Sequence, residues 1–206
     1  AITSNAGHCL WAEVIEPELA ERVVRRMMLP DMFSGWGIRT LSSASSNYNP
    51  MSYHNGSVWP HDNSIIALGM LRYGYVKEAA SVISSVIEAG LRFPSNRLPE
   101  LFCGFSRDRR FNSSPMAYIK SCSPQAWAAA APFLFLQTLL NVHPENCGKV
   151  LWVSPLPTGL FARFRLERLR IGDQRVSFSL KERASRFELE LLDGDIELRS
   201  YSADTV

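Results

Sequence analysis

The chain has 206 residues, of which 46% are apolar and 20% are charged, so it can form a core and is not a disordered chain. The 22 basic and 20 acidic side chains give a net charge of +2, which argues against a general nucleic-acid or anionic-membrane binder. Aromatic residues make up 11% of the sequence, and such side chains fill cores or form the flat walls of sugar sites.

The cysteines are widely spaced and none is separated from the next by only two residues. They are Cys9, Cys103, Cys122 and Cys147. A zinc site or a dense disulfide framework is therefore not expected, and reduced thiols in a cytoplasmic protein are the expectation. The longest uncharged stretch, residues 121–142, contains several polar side chains, so we expect no membrane span.

Four stretches have the apolar spacing of helices. In chain order they are residues 16–29, 60–73, 76–93 and 124–141. Pro17 and Pro60 suit the first turns of two of them. The last stretch is apolar nearly all round, so we expect it to be buried with Trp127 and Phe133 in the core. The connecting segments 32–59 and 94–123 have no regular period, and long loops of this kind are usually functional.

The period changes after Pro144, where apolar residues recur at every second position and turn signals separate the runs. The turns are predicted at residues 172–173, 184–185 and 193–194. This pattern predicts a small antiparallel β-meander. We therefore predict a mainly α protein with a helical part over residues 1–144 and a β-sheet appendage over residues 145–206.

The two long loops carry most of the side chains that could perform chemistry. If the helices are paired in a ring, both loops open at the same end and bring together Trp36, Arg39, Tyr53, Trp59, His61, Asp62 and Glu100. Aromatic walls, convergent polar groups and carboxylates are the elements of a glycoside site.

Simpler roles exist for several of these residues. Asp62 falls in the first turn of a predicted helix, where a carboxylate stabilises free N–H groups. His61 could bond a backbone carbonyl, and Glu100 could be a solvated loop residue. His54 and His61 with Asp62 could ligate a metal, although no second cluster of ligands supports that.

Five blocks of sequence resemble the C-terminal part of bacterial glycogen-debranching-like, amylo-alpha-1,6-glucosidase-related glycoside hydrolases. They are SNAGHCLW (4–11), MFSGWGIRTLSS (32–43), YNPMSYHNGSVWPHDN (48–63), LPELFCGF (98–105) and CSPQAWAAAAPFLFLQ (122–137). The resemblance covers most of residues 3–140, and blocks of this length are far more specific than a short motif.

The resemblance implies part of an (α/α)6 barrel, with about four of its helices in residues 1–144. It also implies inverting hydrolysis of α-linked glucosides by two carboxylates, with Glu100 as the general base. By position in the matching blocks, the sugar subsite would contain Trp36, Arg39, Tyr53, His54, Trp59, His61 and Asp62. The ligand would be an oligosaccharide, and neither a metal nor an organic cofactor is implied.

One departure from the family pattern affects the expected activity. The general acid of the resembling enzymes is an Asp far upstream, and no Asp here stands in a matching block that could replace it. The chain also lacks a starting Met, so we expect the C-terminal portion of an enzyme that is inactive alone. Its partner would be the missing N-terminal part of the barrel or a second copy of the chain.

The sequence is also compatible with two other functions. The same aromatic mouth could belong to a carbohydrate-binding or remnant domain without turnover. A sugar isomerase or phosphorylase on the same kind of helical barrel is a further alternative. A phosphorylase requires a basic phosphate pocket, for which Arg39 and the cluster at residues 107–110 are the available cations.

Overall fold

A computed structural model describes residues 1–108, 110–156, 159–183 and 186–200, without the side chain of residue 186. The chain divides into two compact units, Ala1–Leu136 and Gln137–Val206. The boundary that we predicted after residue 144 stays a prediction.

The predicted helices are confirmed, and one short helix precedes them. The helices are α1 (Asn5–Trp11), α2 (Pro17–Met27), α3 (Pro60–Arg72), α4 (Val76–Gly90) and α5 (Ala126–Leu140). Pro17 and Pro60 each occupy the first helical position of their helix, where the missing N–H costs nothing because it would have no intrahelical partner. The amphipathic patterns of α2 and α4 thus predicted their boundaries to within a few residues.

The first unit is held together by close packing of α3 against α1 and α4. A Cβ atom added to Gly69 of α3 would lie 2.5 Å from the backbone nitrogen of Trp11 and 2.7 Å from the Cβ atom of Leu10. The backbones of α1 and α3 therefore approach more closely than any larger residue at position 69 allows. This contact, in the C-terminal half of α3, fixes α1 and with it His8 against α3.

The expectation of a buried α5 with Trp127 and Phe133 in the core is wrong. The side chain of Trp127 is 46% exposed and that of Phe133 is 74% exposed, whereas Ala128, Ala131 and Phe135 are buried. A helix that is apolar nearly all round gives no periodic signal for the face that turns inward. Which aromatic residues are exposed was therefore not readable from this segment.

The two long loops are joined by single β-bridges. Val58 bridges Arg39 on one side and Phe102 on the other, and Phe102 also bridges Ala117. The Val58–Phe102 bridge has two backbone hydrogen bonds, of 2.9 and 3.0 Å. These bridges bring the segment before α3 beside the segment that contains Glu100.

A buried amide fastens the first loop to α3. The Asn63 side chain accepts a hydrogen bond from the Ile38 N–H at 2.7 Å and donates to the carbonyl oxygens of Ile38 and Trp59. The amide is fully buried, and these bonds satisfy both of its polar atoms. The start of α3 and the strand-like segment around Ile38 are thereby held as one piece.

The second unit contains six short strands in two sheets in its described part. They are β1 (Val142–Glu145), β2 (Val150–Val153), β3 (Arg163–Ile171), β4 (Gln174–Arg183), β5 (Arg186–Asp193) and β6 (Glu197–Arg199). The sheet β3–β4–β5 is the predicted antiparallel meander, and the other has the order β1–β2–β6 with a parallel β2–β6 pair. The core of the second unit contains Leu151, Val176, Phe178 and Leu180. The turn predicted at residues 184–185 lies outside the described residues.

The predicted fold class is wrong. In the described ranges the protein has five α-helices and six strands, with 35% helix and 23% strand. It is therefore not a mainly α fragment of an (α/α)6 barrel. All six described strands lie between residues 142 and 199, so the strand share comes mainly from the second unit, which the prediction treated as a small appendage. The single β-bridges in the loops of the first unit add to it and leave no periodic signal.

All four cysteines have free thiols, and Cys103 is buried. No helix within the described residues combines the length and the hydropathy that crossing a bilayer requires.

We expect Gly69→Ala to destabilise the protein by about 1–3 kcal/mol, because the added methyl group meets backbone rather than a movable side chain. Urea unfolding measures the change. The control is Gly90→Ala, whose methyl group meets only side-chain atoms of Leu98, at 3.1 Å or more. Equal effects of the two substitutions would contradict the close α1–α3 contact.

Candidate functional site

The first unit contains an open cleft of about 390 Å³ where α1, the first loop, the start of α3 and the start of α5 meet. It is lined by Thr3, Ser4, Asn5, His8, Thr40, Leu41, His54, Asn55, Trp59, His61, Asp62 and Trp127. Hydroxyl, amide and imidazole groups alternate there with two indole rings. The volume is in the usual range for a small-molecule site.

One wall of the cleft is a set of stacked rings. The imidazole of His61 is parallel to the indole of Trp127, with ring centroids 4.2 Å apart. Trp59 packs edge-on against both rings, and His54 is parallel to Trp59 at 6.2 Å. Trp59 is buried whereas Trp127 is half exposed, so Trp127 is the more exposed of the two indoles in this wall.

A hydrogen-bonded His–Asp pair forms another part of the cleft. The Nε2–H of His8 donates to Oδ1 of Asp62 at 2.5 Å. The Asp62 side chain is buried, whereas that of His8 is 39% exposed. This hydrogen bond raises the pKa of His8 above its ordinary value, although partial burial opposes the shift.

Two buried polar atoms of the cleft residues have no hydrogen-bond partner among the described residues. They are Oδ2 of Asp62 and Nδ1 of His61. Burial lowers the pKa of His61, against the attraction of the Asp62 and Glu100 charges. The imidazole of His61 therefore stays neutral at neutral pH, so it can accept or donate a hydrogen bond.

Glu100 lies beside the cleft wall and is itself buried. The Tyr53 hydroxyl donates to Oε1 at 2.6 Å, and the Cys122 N–H donates to Oε2 at 3.3 Å. The bond from Tyr53 to this carboxylate raises the pKa of Tyr53 to about 12. The Tyr53 ring packs edge-on against Trp59 at 4.9 Å, so Tyr53 stands between the carboxylate and a ring that lines the cleft.

Trp36 and Arg39 are not among the residues that line the cleft. Trp36 is buried in a cluster with Val58 and Phe102, and its ring lies under the guanidinium of Arg107. Arg39 is buried and donates to two backbone carbonyl oxygens and to the Ser106 hydroxyl. Of the predicted subsite, the structure thus brings His54, Trp59, His61 and Asp62 to the cleft, with Tyr53 adjoining it.

Eight of the twelve lining residues were not predicted from the sequence, and two of them, His8 and Trp127, contribute side-chain contacts described above. His8 precedes Asp62 by 54 residues, and nothing in its local pattern distinguishes it from a surface histidine. Trp127 stands in an apolar helix and was assigned to the core. A signal did exist for His8, since it belongs to one of the blocks that carry the family resemblance.

Metal binding by His54, His61 and Asp62 has no support in the structure. Within the described ranges, no three side chains of His, Cys, Asp or Glu are grouped closely enough to hold an ion. The cleft instead combines an exposed ring face with hydrogen-bonding groups that have free capacity, which suits a ligand with apolar faces and hydroxyl edges.

Comparison with known protein families shows that residues 2–93 are similar to a glycoside hydrolase domain. Residues 2–93 match the family described as mannosylglycerate hydrolase MGH1-like glycoside hydrolase domain. This match, over less than half of the chain, supports a glycoside hydrolase-related domain. It includes His8, His54, Trp59, His61 and Asp62, but neither Glu100 nor Trp127. The comparison with curated proteins gave no match.

We expect the stability gap between the unaltered protein and His8→Gln to shrink as the pH rises. Because the pKa of His8 is raised in the folded protein, its ion pair with Asp62 contributes fully to the free energy of unfolding below the ordinary pKa of 6.5. This contribution is lost as the pH rises through the raised pKa, where His8 loses its charge. Urea unfolding between about pH 5.5 and about pH 8.5 measures the gap.

The matched control is His143→Gln, which changes an exposed histidine of β1. The acid destabilisation from the lowered pKa of His61 is present in every variant and largely cancels in the difference. A gap for His8→Gln that stays constant or widens with pH would show that the His8–Asp62 pair is not charged as described.

Proposed function

We propose that the cleft binds the terminal sugar of an α-linked glucoside and that the chain serves inverting glycoside hydrolysis, with Glu100 as the general base. The observation that carries the proposal is that the Trp127 ring, half exposed and stacked on His61, lines the same cleft as the buried Asp62 carboxylate, whose Oδ2 has no partner among the described residues. The family match over residues 2–93 supports the same class of ligand.

The ligand class follows from the two kinds of surface in the cleft. The half-exposed indole of Trp127, which stacks on His61 on one side, provides apolar ring surface on which a pyranose could pack. The lining hydroxyl, amide and carboxylate groups can bond to the edges of such a ring. Since the net charge of the whole chain is only +2, a neutral oligosaccharide fits better than a polyanion.

Glu100 is proposed as the base because it is a buried carboxylate held in one orientation beside the aromatic wall. Its two oxygens accept bonds from Tyr53 and from the Cys122 N–H, and each oxygen can accept one more. The Glu100 carboxylate could then accept a proton from a water molecule that reaches it past the Tyr53 ring. Tyr53 is then the residue that orients the base.

Inverting hydrolysis requires a second carboxylate, which protonates the leaving oxygen. Among the described residues, Asp62 is the only carboxylate that lines the cleft, and His8 occupies one of its oxygens. We therefore assign Asp62 to sugar binding and propose that the acid comes from a partner polypeptide, either a family segment that carries it or a second copy of this chain.

The same geometry favours one alternative, a carbohydrate-binding domain without turnover. Glu100 does not line the cleft, and its oxygens already have protein donors. A cleft with an aromatic ring and one carboxylate could bind sugar without cleaving it. The two functions differ in the effect of Glu100 on glucose release, whereas both require Trp127 for binding.

We expect Trp127→Ala to weaken the binding of maltotriose by about five- to tenfold, since the ring platform is lost. Titration calorimetry measures the affinity. Panose and methyl α-mannoside are further probes, and the mannoside is included because the description of the matching family names mannosylglycerate. Phe133→Ala is the matched control because it removes an exposed ring of the same helix that does not line the cleft. Unchanged affinity in Trp127→Ala would contradict the proposed subsite.

We expect Glu100→Gln to lower glucose release from panose or maltotriose by about 10²- to 10⁴-fold and to leave binding nearly unchanged, because an amide keeps the Tyr53 bond but cannot take a proton. The assay uses the chain alone and the chain mixed with a recombinant family segment that carries the acid. Proton NMR reads the anomer released first, which is β from an α-glucoside if the reaction inverts.

Glu88→Gln is the control for this experiment, since the Glu88 side chain is half exposed and pairs with Arg107. Glucose release that survives in Glu100→Gln would remove Glu100 from the mechanism. Binding without release under both conditions would favour the non-catalytic alternative.

A further inference from the structure

The His8–Asp62 pair is unusual because it satisfies only half of a buried carboxylate. Oδ1 of Asp62 has the His8 donor at 2.5 Å, whereas Oδ2 is buried and has no partner in the part of the chain that the structure describes. Buried polar atoms are nearly always hydrogen-bonded, and leaving one without a partner costs about 1–3 kcal/mol. An unsatisfied oxygen on a residue that lines a cleft is therefore a place for a ligand donor.

Helix capping does not explain this carboxylate. Asp62 is the third residue of α3, where a negative charge is favourable beside the helix N-terminus. A capping carboxylate bonds to the N–H groups of the first turn. Oδ2 makes no such bond, and Oδ1 is bonded to a side chain of another helix.

His8 is placed by the packing of α1 and does not fill space in the core. Its neighbours Gly7 and Leu10 are the buried residues of α1, and Gly7 lies against Ile66 of α3. The His8 side chain is 39% exposed and lies at the rim of the cleft. The close α1–α3 contact thus presents the imidazole to Asp62 from a fixed position.

We propose that His8 is a positioning residue of this site: by binding Oδ1 it fixes the Asp62 carboxylate and leaves Oδ2 to accept a hydrogen bond from a sugar hydroxyl. The inference rests on the proposed function and extends it by naming the atom that recognises the ligand. Nδ1 of His61, the other unpartnered atom, can bond to a further hydroxyl. A polyhydroxylated ligand supplies both groups, whereas an anionic ligand group would be repelled by Asp62.

The test combines a double-mutant cycle with a direct spectroscopic measurement. Maltotriose affinity is measured by calorimetry for the unaltered protein, Asp62→Asn, His8→Ala and the double variant. We expect each single substitution to weaken binding by about 10- to 100-fold, as for loss of a hydrogen bond to a charged group, and the double variant to be little worse than either, since both remove one interaction.

His8→Gln provides the conservative rescue. The amide N–H of Gln can donate to Oδ1 in place of Nε2, so this variant should keep most of the affinity that His8→Ala loses. His143→Ala, at an exposed position of β1, should bind as the unaltered protein does. A merely structural role of His8 would instead appear as a lower unfolding temperature with unchanged affinity.

The spectroscopic measurement uses no variant and follows the ¹³C resonance of the Asp62 carboxyl during titration with maltotriose. We expect it to shift with the same saturation curve as the calorimetry. Binding of the sugar without a shift of this resonance, or additive losses in the cycle, would overturn the role of His8 and Asp62 while leaving the proposed function intact. If the unaltered protein binds neither maltotriose nor the other probes, both proposals fall.

Discussion

The backbone pairing of Val58 is the constraint on which the site depends. Val58 bridges Arg39 on one side and Phe102 on the other, so three segments that are distant in sequence lie side by side. Glu100 is thereby brought within hydrogen-bond distance of Tyr53, and Trp59 leads directly into α3. Without these bridges the aromatic wall and the Glu100 carboxylate would belong to two independent loops.

The buried polar groups of the first unit fall into two classes. Arg39 and Asn63 are fully buried, and their side chains form hydrogen bonds with other protein groups, so they stabilise the loops. Asp62 and His61, which line the cleft, each have a buried atom without a partner among the described residues. In the described part of the first unit, this free hydrogen-bonding capacity lies at the cleft, where a ligand that bonded to these atoms would offset its energetic cost.

The family match and the geometry overlap over one part of the cleft. The matched residues 2–93 supply the His–Asp pair and most of the ring wall, which supports a glycoside hydrolase-related domain. Trp127 comes from the following segment and completes the wall through its contact with His61. The cleft therefore joins a recognised part of the chain to an aromatic residue outside it.

The sequence by itself determined the helices, because apolar spacing and prolines at first turns report local energetics, and it determined the meander of β3 to β5 through strict alternation. It also singled out His54, Trp59, His61 and Asp62. Only the tertiary structure decided that Trp36 and Arg39 stabilise the core, that His8 pairs with Asp62 and that Trp127 is exposed. These facts depend on contacts between residues far apart in the chain and on isolated bridges, and neither leaves a period in the sequence.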